Sequence, residues 1–428
     1  MRNIIYPKKE TWFEILKRPT QTVKEIETTV NQVFEDVQKN GDTAIKKYTK
    51  KFDKVAVTTL KVTQEEISIA VEAVSSELKK AIQQAAANIE KFHRAQKTEK
   101  IYQETTPGVV CWQEKRPIEK VGLYIPGGTA PLLSTVLMLA IPAKIAGCQE
   151  IILCSPPNLE GKIANEILYT ANLCGVTNIF KVGGIQAISG LTFGTTTIPK
   201  VYKIFGPGNQ FVTVAKQIAT KFGVAIDMPA GPSELLVMAD DSANASFVAS
   251  DLLSQAEHGA DSQVILVSTS EKLIEDVSKE VAKQLKELPR IEIATKAIQN
   301  SKSILVKNLK EALALINEYA PEHFIVCTNN NDFFIDGIFN AGSVFIGNYT
   351  PESAGDYASG TNHTLPTNGY SKSYSGVNLD SFTKSITFQE ISKKGIQNIG
   401  KSIELMALAE GLQAHKNAVS IRLKEINS

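Results

Sequence analysis

Apolar residues recur along this chain at two different periods, and the change of period divides it. From Thr22 to Thr49 and from Gln64 to Thr98 they return every three or four residues among Lys, Glu and Gln, the spacing of amphipathic helices. Thr63, with Glu66 three residues on, has the pattern of an N-cap and its capping box. From about residue 108 the texture changes to short apolar runs alternating with amphipathic segments. The runs at 121–125 (VGLYI), 150–155 (EIILCS), 178–183 (NIFKVG) and 200–206 (KVYKIFG) predict strands. Helices are predicted between them at 132–146, 161–174, 185–194 and 210–222. A second series follows, with strands at 233–240, 262–268, 303–308 and 323–328 and helices near 242–258 and 270–287.

Regular alternation of strand and helix predicts parallel sheets covered by helices on both faces. Two such series predict an α/β chain of two similar, incomplete Rossmann-like lobes, doubly wound and mostly parallel. A helical segment precedes them and a small helical extension follows. The expected divisions are an N-terminal helical arm (1–25) and a helical region contributing to a main lobe (26–110). A first Rossmann-like lobe (111–232), a second (233–365) and a C-terminal dimerisation extension (366–428) follow. After Gly342 the chain turns polar and irregular for some thirty residues. A loop of that length is functional or disordered, and its aromatics, glycines and the Asp356/His363 pair favour function.

Bulk properties narrow the partners. With 46 basic against 45 acidic residues, no charge imbalance draws the chain to nucleic acid or an anionic membrane. The longest apolar candidate, 132–146, is too short to span a bilayer and contains Ser134, Thr135, Pro142 and Lys144. The N-terminal MRNIIYPKKE lacks the apolar stretch of a signal peptide. Five cysteines without a CxxC pair suit reduced thiols, so a cytoplasmic location is expected.

Three glycine-bearing turns follow predicted strands: Pro126-Gly127-Gly128, Gly183-Gly184 and Gly206-Pro207-Gly208-Asn209. Each precedes a helix start, where free N–H groups and the helix dipole favour an anion. None matches GxGxxG or a P-loop, and singly each reads equally as an ordinary strand-to-helix turn. Three in one lobe point to a nucleotide crevice.

Four of the five histidines lie in short polar clusters within apolar sequence, whereas His93, in a charged helical stretch, is expected on the solvated surface. Gln255 and His258 are three apart at a helix end and so share a face. With the carboxylate of Asp356 and the imidazole of His415 they form an N/O set for a divalent metal. No thiolate accompanies them, which suits a catalytic or substrate-binding ion better than a structural one. A hydrogen-bonded His and Gln capping a helix is the plainer alternative. Glu322-His323, at the entry to an apolar strand, joins a carboxylate to a group that titrates near neutrality, a pair suited to acid/base work. A helix-end carboxylate beside a half-buried His has the same sequence.

Taken together, VGLYIPGGTAPLLSTVLMLAIPAKIAG, KIFGPGNQFV, DMPAGPSELLV, FVASDLLSQAEHG, APEHFIV, AGSVFIG, ESAGDYASGTNHTLPT and LQAHKNAV resemble the histidinol dehydrogenase family, in the family's order and over about residues 20 to 420. The resemblance implies oxidation of L-histidinol through L-histidinaldehyde to L-histidine with two NAD⁺ reduced in sequence, the last step of histidine biosynthesis. It implies Gln255, His258, Asp356 and His415 as Zn²⁺ ligands and Glu322 and His323 as the acid/base pair. Ser233 and Glu410 would join His323 and the zinc ligands around the substrate, and Tyr124, Gln186 and Asn209 would contact NAD. It further implies a homodimer with a shared active site, His415 coming from the partner.

Three rivals stay open on sequence. Another small alcohol on the same fold would keep the cofactor. A cysteine nucleophile, Cys111 or Cys154, would handle the aldehyde as a thiohemiacetal. A zinc hydrolase would leave the glycine turns unexplained.

Overall fold

Apolar runs bounded by glycine turns fold here as parallel strands buried on both faces, as covered parallel sheets require. The structure, a computed structural model, describes residues 1–19, 23–127, 131–229 and 231–428. Thr22 and Gly128, named above, lie outside the described residues. In chain order the strands are β1 (Arg2–Ile5), β2 (Ile101–Thr106), β3 (Val109–Pro117), β4 (Lys120–Tyr124), β5 (Glu150–Ser155), β6 (Asn178–Lys181) and β7 (Lys203–Phe205). They continue as β8 (Ala225–Ile226), β9 (Glu234–Ala239), β10 (Gln263–Ser268), β11 (Lys302–Leu305), β12 (His323–Cys327), β13 (Ser343–Ile346) and β14 (Thr383–Ile391). The chain divides into two units, residues 1–96 with 118–382, and residues 97–117 with 383–428.

The larger unit holds two parallel sheets. One runs β6-β5-β4-β7-β8, the other β1-β11-β10-β9-β12-β13. Leaving β1 aside, both follow the same order, with the first strand central and later strands added first on one side and then on the other. That is the doubly wound order, and it makes the two lobes alike in topology. Side chains alternate between two cores in each sheet: Val121 and Leu123 face one, Tyr124, Ile152 and Cys154 the other. Leu235 and Val237 likewise oppose Leu236 and Met238 in the second sheet. The helix Leu133–Ala146 is apolar all round and buried from Ser134 to Ala143.

Several local expectations meet the structure differently. Arg2–Ile5, in the expected helical arm, is a strand on the edge of the second sheet, paired with β11. The first helical stretch runs Val23–Phe52 but breaks at Gly41, whose φ of 50° no helix contains. The second splits into Gln64–Ala73 and Ser76–Ala95, and Thr63 and Glu66 form the full capping box. His93 is not solvated: it is wholly buried, its Nδ1 donating to the Ile89 carbonyl at 2.8 Å. No helix among the described residues is long and apolar enough to cross a membrane.

The smaller unit is an antiparallel sheet, β14-β3-β2, followed by helices Lys393–Ala409 and Gln413–Asn427 packed on one another. Trp112 stacks on Phe388 across β3 and β14, with ring centroids 5.2 Å apart.

Candidate active site

Two cavities adjoin in the larger unit, sharing Gly127 and Asn209 as common wall. The first, of about 590 Å³, lies over the C-terminal ends of β4, β5 and β6. Tyr124, Gly127, Ser155, Gly184 and Asn209 line it, so all three predicted glycine turns contribute. Its position is the crevice beyond the strand C-termini where doubly wound sheets hold ligands. The turns need their glycines. Gly206 has φ 126° and its missing Cβ would meet the Tyr124 carbonyl oxygen at 2.1 Å; Gly184 has φ 58°. Tyr124 accepts from the Gly184 N–H at 3.1 Å, tying the first turn to the second. The third turn is held by a buried ion pair, Lys216 Nζ to Asp227 at 2.5 Å; Lys216 also donates to the Gly206 carbonyl, and Asp227 accepts from the Gly206 N–H.

A dinucleotide fits this cavity on three grounds. The helix Gly184–Phe193 starts there without a side-chain cap, so its first turn can receive a diphosphate. Ser155 Oγ lines the cavity, buried and without a partner, as a ligand-binding hydroxyl would. The size suits a cofactor site. Of the residues expected to touch NAD, Tyr124 and Asn209 line the cavity. Gln186 does not: it is fully buried and its Nε2 donates to Asp53 Oδ2 at 2.9 Å.

The second cavity, about 360 Å³, lies between the C-terminal edge of the first sheet and the N-terminal edge of the second. Gly127 and Gly206–Asn209 form one side; Ser233, Gln255, His258, Glu322, His323 and Asp356 form the other. The two lobes thus contribute opposite ends of their sheets to this cavity, and the second departs from the usual rule that ligands lie beyond strand C-termini. Glu410 and His415 belong to the smaller unit, at the end of one C-terminal helix and on the next.

Adjacent strands position Glu322 and His323. β9 and β12 run side by side with His323 opposite Leu235, which brings Glu234 against both residues. The Glu234 N–H donates to Glu322 Oε2 at 2.8 Å, and His323 Nδ1 donates to the Glu234 carbonyl at 3.3 Å. A carbonyl only accepts, so this contact puts a proton on Nδ1 and leaves Nε2 as the ring nitrogen that can exchange one. Nε2 is buried without a hydrogen-bond partner, 3.6 Å from Asp356 Oδ1.

Sequence reading missed Glu352. It is buried on the short helix Glu352–Tyr357, with Oε1 3.6 Å from His323 Nδ1. Its polar neighbourhood resembles any surface turn, and only the tertiary fold buries it. His363, in the cavity wall, bonds the Asp356 carbonyl through Nδ1 at 3.0 Å and Thr135 through Nε2 at 3.2 Å.

The buried carboxyls are pulled from their ordinary range. Desolvation pushes Glu322 up to about 8, against the favourable charge of His323, and does the same to Glu352. For His323 burial works against the proton, but Glu352, Glu322 and Asp356 outweigh it and lift the imidazole to about 10. His258 moves the other way: desolvation outweighs the pull of Asp356 and favours neutral imidazole.

A divalent metal fits beside this pair. Both amide atoms of Gln255 are fully buried with no partner, an arrangement that calls for a ligand. Neutral His258 and the Asp356 carboxylate line the same wall, supplying N and O donors of the kind zinc takes. Among the described residues a second grouping, His323, Glu352 and Asp356, brings donor atoms within 4.8 Å of one another. There Glu352 faces Nδ1 and Asp356 faces Nε2, opposite edges of one ring.

Cysteine chemistry finds little support. Cys154 is fully buried in a core, where burial pushes its thiol far up, and Cys111 lies on β3 of the smaller unit.

Residues 16–423 match the sequence profile described as histidinol dehydrogenase. The chain is 59% identical to the histidinol dehydrogenase of Bacteroides thetaiotaomicron over the full length of both, and 54% identical to that of Escherichia coli K12 over 96% of this chain and 95% of that one. The crystal structure of histidinol dehydrogenase from Elizabethkingia anophelis, 58% identical, superposes with a TM-score of 0.98 over 100% of this chain and 99% of that one. The chain therefore belongs to the histidinol dehydrogenase family.

Proposed function

We propose that the chain oxidises L-histidinol through L-histidinaldehyde to L-histidine, the last step of histidine biosynthesis, reducing two NAD⁺ in sequence at a zinc-dependent site. The observation that carries this reading is the shared wall of the two cavities. A cavity bearing Glu322 and His323 shares Gly127 and Asn209 with one built from glycine turns. Substrate in the one and cofactor in the other would meet at that wall.

Gln255, His258 and Asp356 would hold the zinc ion, with the partner subunit's His415 completing the set in a homodimer. When bound, zinc supplies a Lewis-acid anchor for the substrate's imidazole and amino nitrogens and a positive charge that offsets Asp356. Ser233 and Glu410 would contact the substrate beside it, and Tyr124 and Asn209 the dinucleotide.

A hydride leaves an alcohol carbon only as its hydroxyl proton leaves too. His323 Nε2, in the neutral ring, would be the acceptor for that proton, because the Glu234 carbonyl holds the other ring nitrogen protonated. Against burial, Glu352, Glu322 and Asp356 lift the imidazole to about 10, so the ring must shed its own proton before it can act, and a cation held at Asp356 would favour that by offsetting one of the charges that retain it. The aldehyde must gain water before a second hydride can depart. In its ionised form Glu322, with a value close to working pH, can take a proton from that water and return it. His323 then removes the proton of the diol. Hydride acceptance belongs to the nicotinamide, while the protein supplies orientation.

The test is NADH formed per L-histidinol consumed, before and after chelation and with zinc restored. Two per substrate, lost on chelation and regained with zinc, is the expected result. One per substrate would remove the aldehyde step, and none would point to another small alcohol.

A further inference from the structure

We propose that Asp53 reads the sugar of the dinucleotide: its carboxylate accepts the vicinal hydroxyls of the adenosine ribose and excludes a 2′-phosphorylated cofactor. The inference rests on the placing of NAD⁺ in the first cavity.

Its starting point is the position of Gln186. A residue expected to touch the cofactor is instead wholly buried, and its Nε2 donates to Asp53 Oδ2 at 2.9 Å. Asp53 follows directly on the helix Val23–Phe52 and lines the cavity; Gln186 stands behind it. The contact assigned to Gln186 therefore passes to Asp53, and Gln186 is a positioning residue.

Among the described residues Asp53 is the one carboxylate in that cavity wall, which also carries the apolar Phe52, Pro156, Leu159 and Phe211 and one cation, Lys162. A half-desolvated carboxylate with one oxygen held by an amide has acceptor capacity left over. Burial acts on it strongly enough to lift the carboxyl to about 6, against the single favourable bond from Gln186. Hydroxyl donors from a ligand would relieve that cost. A cis-diol offers two at the spacing of one carboxylate, as the acidic residue of dinucleotide folds does from a different strand end. Ser155 Oγ, buried and unpartnered in the same wall, is a second group awaiting a ligand.

The choice of ribose follows from the shared wall. Hydride can cross only where the cavities meet, at Gly127 and Asn209, so the nicotinamide belongs there. Asp53 lines the first cavity and not the second, and would face the part of the dinucleotide farther from the nicotinamide. A phosphate on that ribose would set a dianion against the carboxylate.

Calorimetric titration of the intact protein with NAD⁺ and NADP⁺ tests this without turnover. The parent should bind NAD⁺ and prefer it to NADP⁺. Asp53→Asn, which keeps the shape and an acceptor for Gln186, should weaken NAD⁺ about tenfold or more and narrow the NAD⁺/NADP⁺ ratio by a similar factor. Unchanged binding, or equal weakening of both cofactors, would overturn the assignment while leaving NAD⁺ in its cavity. Failure of the parent to bind NAD⁺ would overturn both readings. Competition on the unaltered protein guards against a folding defect in the variant. There, 5′-AMP should displace NAD⁺ at least about tenfold better than adenosine 2′,5′-bisphosphate, and equal displacement counts against Asp53.

Discussion

The main chain of Glu234 holds both His323 and Glu322: its carbonyl takes the Nδ1 proton at 3.3 Å, and its N–H binds Glu322 Oε2 at 2.8 Å. One residue of β9 thus orients both Glu322, just before β12, and His323, its first residue. Parallel pairing of the two strands makes this possible, since it fixes the register between residue 234 and residues 322–323.

His323→Asn should cripple both oxidations. Asn preserves a donor for the Glu234 carbonyl but has no group that accepts a proton near neutrality. A loss of about 10²–10⁴ in kcat is expected for a missing general base, with KM for NAD⁺ little changed. Stopped-flow measurement of the first NADH formed would read it; a normal first turnover would remove His323 from the alcohol step.

Glu322→Gln should separate the two steps. The amide oxygen still accepts from the Glu234 N–H, so the local geometry survives. Alcohol oxidation should be spared relative to aldehyde oxidation, which should fall about 100-fold or more. Histidinaldehyde would then accumulate after one NADH. Equal loss in both steps would defeat the water-activating role.

His258→Asn should lose metal and substrate together. Removing one of the few strong donors in the wall should drop zinc affinity by at least about 100-fold, more than loss of an outer hydrogen bond costs. Zinc content by atomic absorption and histidinol binding by calorimetry should decline in parallel. A variant that keeps stoichiometric zinc would show that His258 is no ligand.

Arg18→Met tests what holds Glu234. The Arg18 guanidinium forms a fork to both Glu234 oxygens, at 2.5 and 2.8 Å, and stacks over Tyr319 at 4.1 Å. Glu234 is almost wholly buried, so removing Arg18 leaves a carboxylate without its counter-charge. A stability loss of about 3–5 kcal/mol is expected, and Glu234→Gln in the same chain should recover part of it. Urea denaturation of the single and double variants measures both. Full additivity of the two losses would mean that the pair is not coupled.

Much of this architecture is legible because buried parallel strands have a simple signature. Glu150–Ser155 and Gln263–Ser268 are apolar on both faces and end at turns, so they read directly. Arg2–Ile5 does not: it pairs on one side only, leaves most of its residues exposed and carries no run long enough to register. Residues 101–117 form a hairpin with mostly half-exposed or exposed side chains, so its alternation blurs into polar sequence. His93 could have been placed. With Ile82, Ala85 and Ile89 it continues a three- and four-residue stripe, which puts it on the buried face, and the charged neighbours concealed this. In the site, Gln255 with His258 and Glu322 with His323 were readable as pairs because each pair is local. Glu352 and Asp53 were not, since each is defined by what a distant element places beside it: His323 for the one, Gln186 for the other.

Asp53 should also leave a mark on stability. Burial raises its carboxyl from an ordinary 3.8 to about 6, with the Gln186 bond opposing the rise. A folded-state value above the unfolded one means that the folded chain holds the proton more tightly. The stability from this group is therefore full below about pH 4 and is lost as the pH climbs through about 6. Above that the folded chain carries a partly desolvated charge that Asp53→Asn removes. The variant should match its parent near pH 4 and exceed it near pH 8 by about 1 kcal/mol, a figure reduced for the partial exposure of the carboxylate. Thermal melting across that range distinguishes the cases: an offset independent of pH would mean that the carboxyl titrates as an ordinary surface acid. A gain in stability at pH 8 together with weaker NAD⁺ binding would mark Asp53 as a charge kept for its ligand rather than for the fold.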